Sequence, residues 1–253
     1  VGTRQADVVL LIGTRLNYAL NYGRPTLFGE GGKWIQVDIE PTEIGRNRPI
    51  DIGIMGDAQA VLKQMIAEAR DRCQGRQELP WIEECREYVR GRQEQLEVNM
   101  NSDSVPIHPA RVCKEVRDFL DRDASIVMDG GDITLWGAAI LRSYQPGHWL
   151  DNTPTGCLGS GTSFAVAAKV ARPDKQVFLL SGDGSFGFNA MEFDTMVRHN
   201  LPVVCVVGND QSWGLIKHGQ QAIGTDRVIG TELGFVRYDK MVEALGGYGE
   251  AVE

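Results

Sequence analysis

The sequence predicts an α/β fold of two three-layer, parallel-sheet (Rossmann-like) domains, and three observations carry that expectation. Apolar runs of strand length, such as VVLLI from Val8 and SIVMD from Ser125, alternate with segments of helical periodicity. Glycine-rich turns follow several of the runs, as strand-to-helix connections in a parallel sheet require. The 253 residues, 42% of them hydrophobic, are enough for two ordinary domains. We divide the chain into a nucleotide-binding-like domain at 1–72, a helical linker at 73–105 and a second α/β domain at 106–253. It opens without an initiator methionine and closes on ALGGYGEAVE, a helix and turn leading into nothing, so both domains are expected to be truncated.

The first domain begins with a strand at 8–12, a turn, a short helix and a strand at 34–37. Asp57 is placed to cap a helix at 58–72 that gathers Val61, Leu62, Met65, Ile66 and Ala69 on one face. The linker, with WIEECREYVRGRQEQLE, reads as a charged helix with a solvated face. In the second domain Pro109 suits the first turn of a helix whose buried stripe is Val112, Val116, Phe119 and Leu120. The strand SIVMD turns at Gly130, Gly131 and Asp132 into a helix at 135–142. Beyond TPTGCLGSG come an alanine-rich helix and a strand at 177–181. A helix at 190–199 follows, with Ala190, Phe193, Met196 and Val197 inward, and then a strand at 203–207.

Composition excludes several functions. A net charge of −8 opposes binding to a phosphate backbone, which needs a basic face. No apolar run approaches the roughly 18 residues of a membrane span. The five cysteines are scattered and form no C-x-x-C pair, so neither a zinc site nor a disulfide framework is indicated and a reducing cytoplasm is expected. The four histidines show no ligand spacing and read as surface or packing residues.

The chemistry concentrates in LLSGDGSFGFN and VVGNDQSWG, where Asp183 and Asp210 follow two apolar strands. A strand, helix, strand unit of this length makes a parallel crossover, so both acids fall on the carboxyl rim of one sheet, where such folds bind ligands. Neighbouring strands lie about 4.8 Å apart, close enough for both carboxylates to reach one cation. Mg²⁺ suits hard oxygen ligands shared with phosphates and water. Gly182 and Gly184 permit tight turns and close backbone approach, and the helix that follows presents its N–H groups to an anion. The alternative is that both motifs are ordinary turn dipeptides.

The segment GDGSFGFNAMEFDTMVRHNLPVVCVVGND resembles the G-D-G to N-N motif of thiamine diphosphate enzymes, in the branch with acetolactate synthase, oxalyl-CoA decarboxylase and 2-hydroxyacyl-CoA lyase. That resemblance covers essentially the whole chain. It implies that Asp183 and Asp210 give side-chain oxygens to Mg²⁺, that the Ser212 carbonyl gives a third, and that the diphosphate completes the shell. Asn209 matches the first asparagine of the family pair, whereas Asp210 stands where most members have a second asparagine and adds a negative charge. GCLGSG is similar to the family segment that sets a bulky apolar residue, here Leu158, under the bent cofactor. Gly131, Asp132, Gly182, Gly184 and Ser185 fall where the family contacts the diphosphate.

GTRLNYALNYGRP and IQVDIEPTEIGRNRP resemble the family's middle domain, which in relatives holds ADP or FAD, with Arg15 and Asp38 as contact residues or, alternatively, as a surface ion pair or turn cap. No G-x-G-x-x-G follows the first strand, so a dinucleotide dehydrogenase is not supported. The resemblance further implies that the activating glutamate lies in a preceding domain of a partner subunit, absent here. No catalytic residue is therefore assigned to this chain, which is expected not to turn over alone. The full-length protein is expected to be a homodimer or homotetramer acting on an acyl-CoA or a 2-oxo acid. The RLNY and GRNRP segments lean toward 2-hydroxyacyl-CoA or oxalyl-CoA chemistry, with acetolactate synthase next. A haloacid dehalogenase type phosphohydrolase fits poorly, because MDGGDIT spaces Asp129 and Asp132 by three rather than two. A non-catalytic nucleotide-binding module is the alternative of a different class.

Overall fold

The computed structural model describes residues 2–73, 79–153, 155–224 and 227–253. It comprises two compact units, Val1–Glu94 and Gln95–Glu253. The unit boundary lies inside a long helix, α3 (Pro80–Met100), in the stretch read as a linker; residues 74–78 of that stretch lie outside the described residues.

The first unit holds a short helix α1 (Gly2–Gln5) and a parallel sheet in the order β1 (Val8–Ile12), β2 (Lys33–Asp38), β3 (Ile52–Met55). Leu11, Leu16, Phe28 and Trp34 form its core, with Phe28 edge-on to Trp34 at 4.8 Å. Asp57 caps helix α2 (Ala58–Arg72) by accepting the Ala60 N–H at 2.9 Å, the local bond its side chain makes best at such a position. Of the expected apolar face of α2, Val61 and Met65 are half-buried, whereas Leu62, Ile66 and Ala69 are exposed.

The second unit is built on a four-stranded parallel sheet in the order β5 (Trp149–Leu150), β4 (Ser125–Asp129), β6 (Val177–Gly182), β7 (Val204–Gly208). Strands buried on both faces should read as continuous apolar runs, and β4 and β6 are buried at every position. Side chains alternate between faces along a strand. Phe178 and Leu180 accordingly join the core formed with α4 (Pro109–Phe119) and α5 (Ile133–Ile140), together with Ile126 and Met128. Val177 and Leu179 join the opposite core with α6 (Gly161–Ala171), α7 (Asp183–Asn189), α8 (Glu192–Arg198) and α10 (Tyr238–Ala244). The sheet is thus sandwiched between helical layers. A further helix, α9 (Gly214–Ala222), follows β7.

Several sequence expectations shift in detail. α4 starts at Pro109, but its buried side chains are Ala110, Cys113 and Val116, and Phe119 lies 56% exposed in the last turn, beyond the reach of the sheet. The N-terminus of α4 is capped by His108, whose Nδ1 accepts the Ala110 N–H at 3.1 Å. On α8 the inward residues are Phe193 and Met196, while Val197 turns outward. The five cysteines are free, and among the described residues no helix is long and apolar enough to cross a membrane.

Candidate functional site

All strands of the second sheet run parallel, so β4, β6 and β7 end on one rim. Asp129 pairs with Ser181, and Gly182 pairs with Gly208. The segments that follow, starting at Gly130, Asp183 and Asn209, emerge side by side. The Gly182 N–H donates to the Gly130 carbonyl at 2.8 Å, carrying the ladder one residue past the strand. Gly131 has φ +94°, and a Cβ built there would lie 2.7 Å from the Gly182 Cα. A Cβ on Gly182 would lie 2.8 Å from the Gly131 Cα. Here the two backbones touch, and glycine is required at both positions.

The G-D-G segment departs from the expected turn. β6 passes directly into α7, whose first residue is Asp183. The carboxylate is 3% exposed and its Oδ1 accepts the Gly184 N–H at 2.8 Å. Burial pushes the Asp183 carboxyl above the ordinary range, the Gly184 N–H works against that rise, and the charge of Asp210 adds to it. Asp183 and Asp210 therefore feel one another across the β6–β7 edge. The Tyr238 hydroxyl donates to the Asp183 carbonyl at 3.1 Å and ties α10 to this corner. Gly184 lies under the Trp213 ring, in space that a Cβ would fill. Ser185 is 2% exposed, and its hydroxyl has no partner among the described residues.

After β7 the chain is irregular. Gln211 takes φ +58°, and both Asp210 oxygens accept from Ser212, Oδ1 from its N–H at 3.1 Å and Oδ2 from its hydroxyl at 3.0 Å. Ser212 is 5% exposed and is held by an antiparallel bridge to Glu232. Asn209 donates to the Val236 carbonyl at 3.0 Å. A Cβ on Gly214 would meet the Asp210 Oδ2 at 2.8 Å and the Asp132 Cβ at 3.1 Å, so these two acids flank one glycine. Asp132 also contacts the His218 Nδ1 at 3.3 Å, a histidine that sequence spacing left aside.

Leu158 is 40% exposed at the same rim, not a packed core leucine, and its Cδ2 occupies the space beside Gly130 and the Ser185 hydroxyl. Gly131, Asp132, Leu158, Gly182, Asp183, Gly184, Ser185, Asp210 and Ser212 all line this one edge of the sheet. Asp129, which sequence reading used only to weigh a spacing, is 1% exposed and accepts the Gly159 and Gly161 N–H groups at 3.1 and 3.0 Å. Its signal in the sequence was an acid closing an otherwise apolar strand just before a glycine pair.

No ion pair among the described residues involves Asp129, Asp183 or Asp210. Nor does any group of three or more His, Cys, Asp or Glu gather among them to hold a metal. A cation at this rim would draw its remaining oxygens from backbone, ligand or water. In the first unit Asp38 is nearly buried and accepts the Glu40 N–H at 2.9 Å, while Arg15 pairs with Glu43 at 3.4 Å.

Two family models match the chain: "Thiamine pyrophosphate enzyme, central domain" over residues 3–65, and "Thiamine pyrophosphate enzyme, C-terminal TPP binding domain" over residues 129–253. A probable acetolactate synthase of Mycobacterium bovis is 41% identical over 249 residues, covering 98% of this chain and 44% of the relative. An acetolactate synthase large subunit of Mycobacterium tuberculosis gives the same figures. A 2-hydroxyacyl-CoA lyase of Oryza sativa subsp. japonica is 34% identical over 264 residues, covering 98% of this chain and 45% of the relative. The chain spans about half the length of these curated relatives.

Proposed function

Because the chain belongs to the thiamine pyrophosphate (thiamine diphosphate) enzymes and carries their central and C-terminal cofactor-binding domains, we propose that its rim holds Mg²⁺ and the cofactor's diphosphate in an enzyme that breaks or makes carbon–carbon bonds. One observation carries the reading: Asp183 and Asp210 stand on adjacent parallel strand ends, Asp183 buried, with no protein cation paired to either among the described residues. Buried carboxylates are costly unless a partner neutralises them, and Mg²⁺ is such a partner.

The surroundings fit the whole group. The unpartnered Ser185 hydroxyl offers a hydrogen bond to a phosphate oxygen. The Gly131–Gly182 contact leaves that point of the rim free of side chains, so backbone there can approach a diphosphate closely. In this reading the Asp183 and Asp210 carboxylates and the Ser212 carbonyl hold the metal, Gly131, Asp132 and Gly184 face the diphosphate, and Leu158 supports the rings. The bound cofactor supplies a nucleophilic thiazolium carbon and an electron sink. The chain's own residues fix the diphosphate and metal and keep an apolar surface beneath the rings. The activating acid then comes from a partner subunit of a homodimer or homotetramer.

Relatives of both substrate types match. The 41% identity to acetolactate synthases, against 34% to a 2-hydroxyacyl-CoA lyase, favours a 2-oxo acid over the acyl-CoA that the RLNY and GRNRP segments suggest. ADP or FAD is the corresponding ligand to test on the first unit, at Arg15 and Asp38.

Calorimetry on the full-length protein tests the core of this reading. Thiamine diphosphate should bind with Mg²⁺ and not after chelation, and binding indifferent to metal would reject it. Product analysis with pyruvate alone, against formyl-CoA plus an aldehyde, then separates the two substrate types.

A further inference from the structure

Leu158 lies at the rim between two glycine-rich turns, and loops of that kind do not hold one conformation unaided. One buried group ties this one to the sheet. Asp129, the last residue of β4, accepts the Gly159 N–H through Oδ1 at 3.1 Å and the Gly161 N–H through Oδ2 at 3.0 Å. Its Oδ1 also receives the Asn152 amide at 3.4 Å, and the same amide donates to the Cys157 carbonyl at 2.6 Å. The residues on both sides of Leu158 are therefore tied to one carboxylate.

Two further observations fit this role. Ser160, at the N-cap of α6, makes no side-chain cap bond, so Asp129 serves from another strand as the acceptor for the helix's first residue, Gly161. The contact is also close: a Cβ on Gly161 would overlap the Asp129 Cβ, and a Cβ on Gly159, at φ +84°, would lie 2.6 Å from the Phe188 Cβ. The loop is seated between Asp129 on one side and Phe188 on the other.

We propose that Asp129 is a positioning residue of the cofactor site, holding Leu158 in place through Asn152 and the 157–161 segment without itself touching the cofactor. The inference rests on the thiamine diphosphate reading above and on Leu158 as the apolar support of the bound rings. An asparagine at 129 could accept only one of the two backbone N–H groups, because its amide nitrogen would face the other donor to donor. The loop would then shift while the strand stayed in place.

The test uses the full-length protein with Mg²⁺ and compares wild type, Asp129→Asn, Leu158→Ala and the double variant. Thermal melting checks that each is folded. The readouts are the cofactor's Kd and, at saturating cofactor without substrate, the rate at which the thiazolium C2 proton exchanges with deuterium. Asp129→Asn should raise the Kd and slow the exchange, each by about tenfold or more, the range seen when an outer-shell partner is removed. Leu158→Ala should slow exchange alike, and the double variant should be no slower than the slower single one, since the two changes break one chain of support. Wild-type exchange in folded, saturated Asp129→Asn overturns the inference, and so do single defects that multiply in the double variant. If Asp129→Asn does not fold, Asn152→Ala cuts only the side-chain tie and should slow exchange by a smaller factor; an unchanged rate there overturns the inference as well. Wild type that binds no cofactor overturns the functional reading instead.

Discussion

In the first unit Glu43 is 7% exposed and is gripped by Arg15 at 3.4 Å and Arg46 at 2.7 Å, while Asp38, closing β2, accepts a backbone N–H. In the second unit Asp129 and Asp183 are still more buried, at 1% and 3%, and among the described residues no arginine or lysine answers them. Both units use parallel strands with acids near their carboxyl ends, so topology alone does not distinguish them. The difference lies in where the compensating charge comes from. Glu43 is completed by its own chain. Asp129 is completed by backbone N–H groups and the Asn152 amide, and Asp183, beside a second acid, has the backbone N–H groups of Gly184 and Gln211 and its own, but no cation among the described residues, to offset burial. An acid left short of compensation at a sheet rim marks a place where a ligand is expected to supply it.

The sharpest way to break this contrast is to remove an acid from each rim. Asp183→Ala should weaken Mg²⁺-dependent thiamine diphosphate binding by at least roughly 100-fold, the upper end of what outer-shell losses cost, because in the proposed site it deletes a direct ligand. Glu43→Gln should leave that affinity unchanged and lower stability by only about 1 kcal/mol, since both its arginines are solvent-exposed. Calorimetry and denaturant titration of the two full-length variants measure both effects, and equal losses of affinity would erase the distinction. Within the second rim, Asp210→Asn should keep metal-dependent binding because an amide oxygen still ligates Mg²⁺, whereas Asp210→Ala should lose most of it. Identical titrations of these two would remove Asp210 from the site.

Next in size is a pair of glycines. Gly182 has an ordinary φ of −77°, and its substitution is opposed only by the Gly131 Cα and the Gly130 carbonyl, at 2.8 and 3.1 Å from the added Cβ. Gly13, which follows β1, has open space around it but φ +58°. Gly182→Ala should therefore cost about 2–3 kcal/mol through backbone displacement and Gly13→Ala about 1 kcal/mol through conformation alone, as read from urea midpoints. The reverse order would mean that the second rim yields more easily than its contacts imply.

The smallest effect concerns an acid of the second unit that does have its cation, an arginine that is itself exposed. Asp239 is held down to about 2 by the hydrogen bond from Arg237, at 2.8 Å. A carboxyl lowered in the folded state binds fewer protons there than when unfolded, so its stabilisation is present above the ordinary range near 3.8 and fades as pH falls toward 2. Asp239→Asn should lower Tm by no more than about 2 °C at pH 6, with the gap closing in acid. A gap that widened in acid would contradict the pairing.

The sequence made much of this legible because the relevant rules are local. Asp57 and Pro109 announce helix starts within one turn, and the crossover between β6 and β7 follows from strand and helix lengths, which put Asp183 and Asp210 on one rim. What stayed hidden depends on distant chain. Nothing near Asp129 tells that its acceptors serve Gly159 and Gly161, and nothing near Leu158 tells that it lies exposed beside Ser185. The outward turns of Phe119 and Val197 were missed because helical periodicity locates a face but not how far the sheet extends beneath it.

The stacking of Trp213 on Gly184 gives the rim an optical reporter of its own. The indole, from the segment carrying Asp210, lies against Gly184 beside Asp183, with its ring 5.8 Å from that of Phe188. Any ion that draws those acids together alters the field and packing around it. Loading of the proposed metal could therefore be followed without a label, by the intrinsic emission that Trp213→Phe removes from a protein with four other tryptophans, Trp34, Trp81, Trp136 and Trp149.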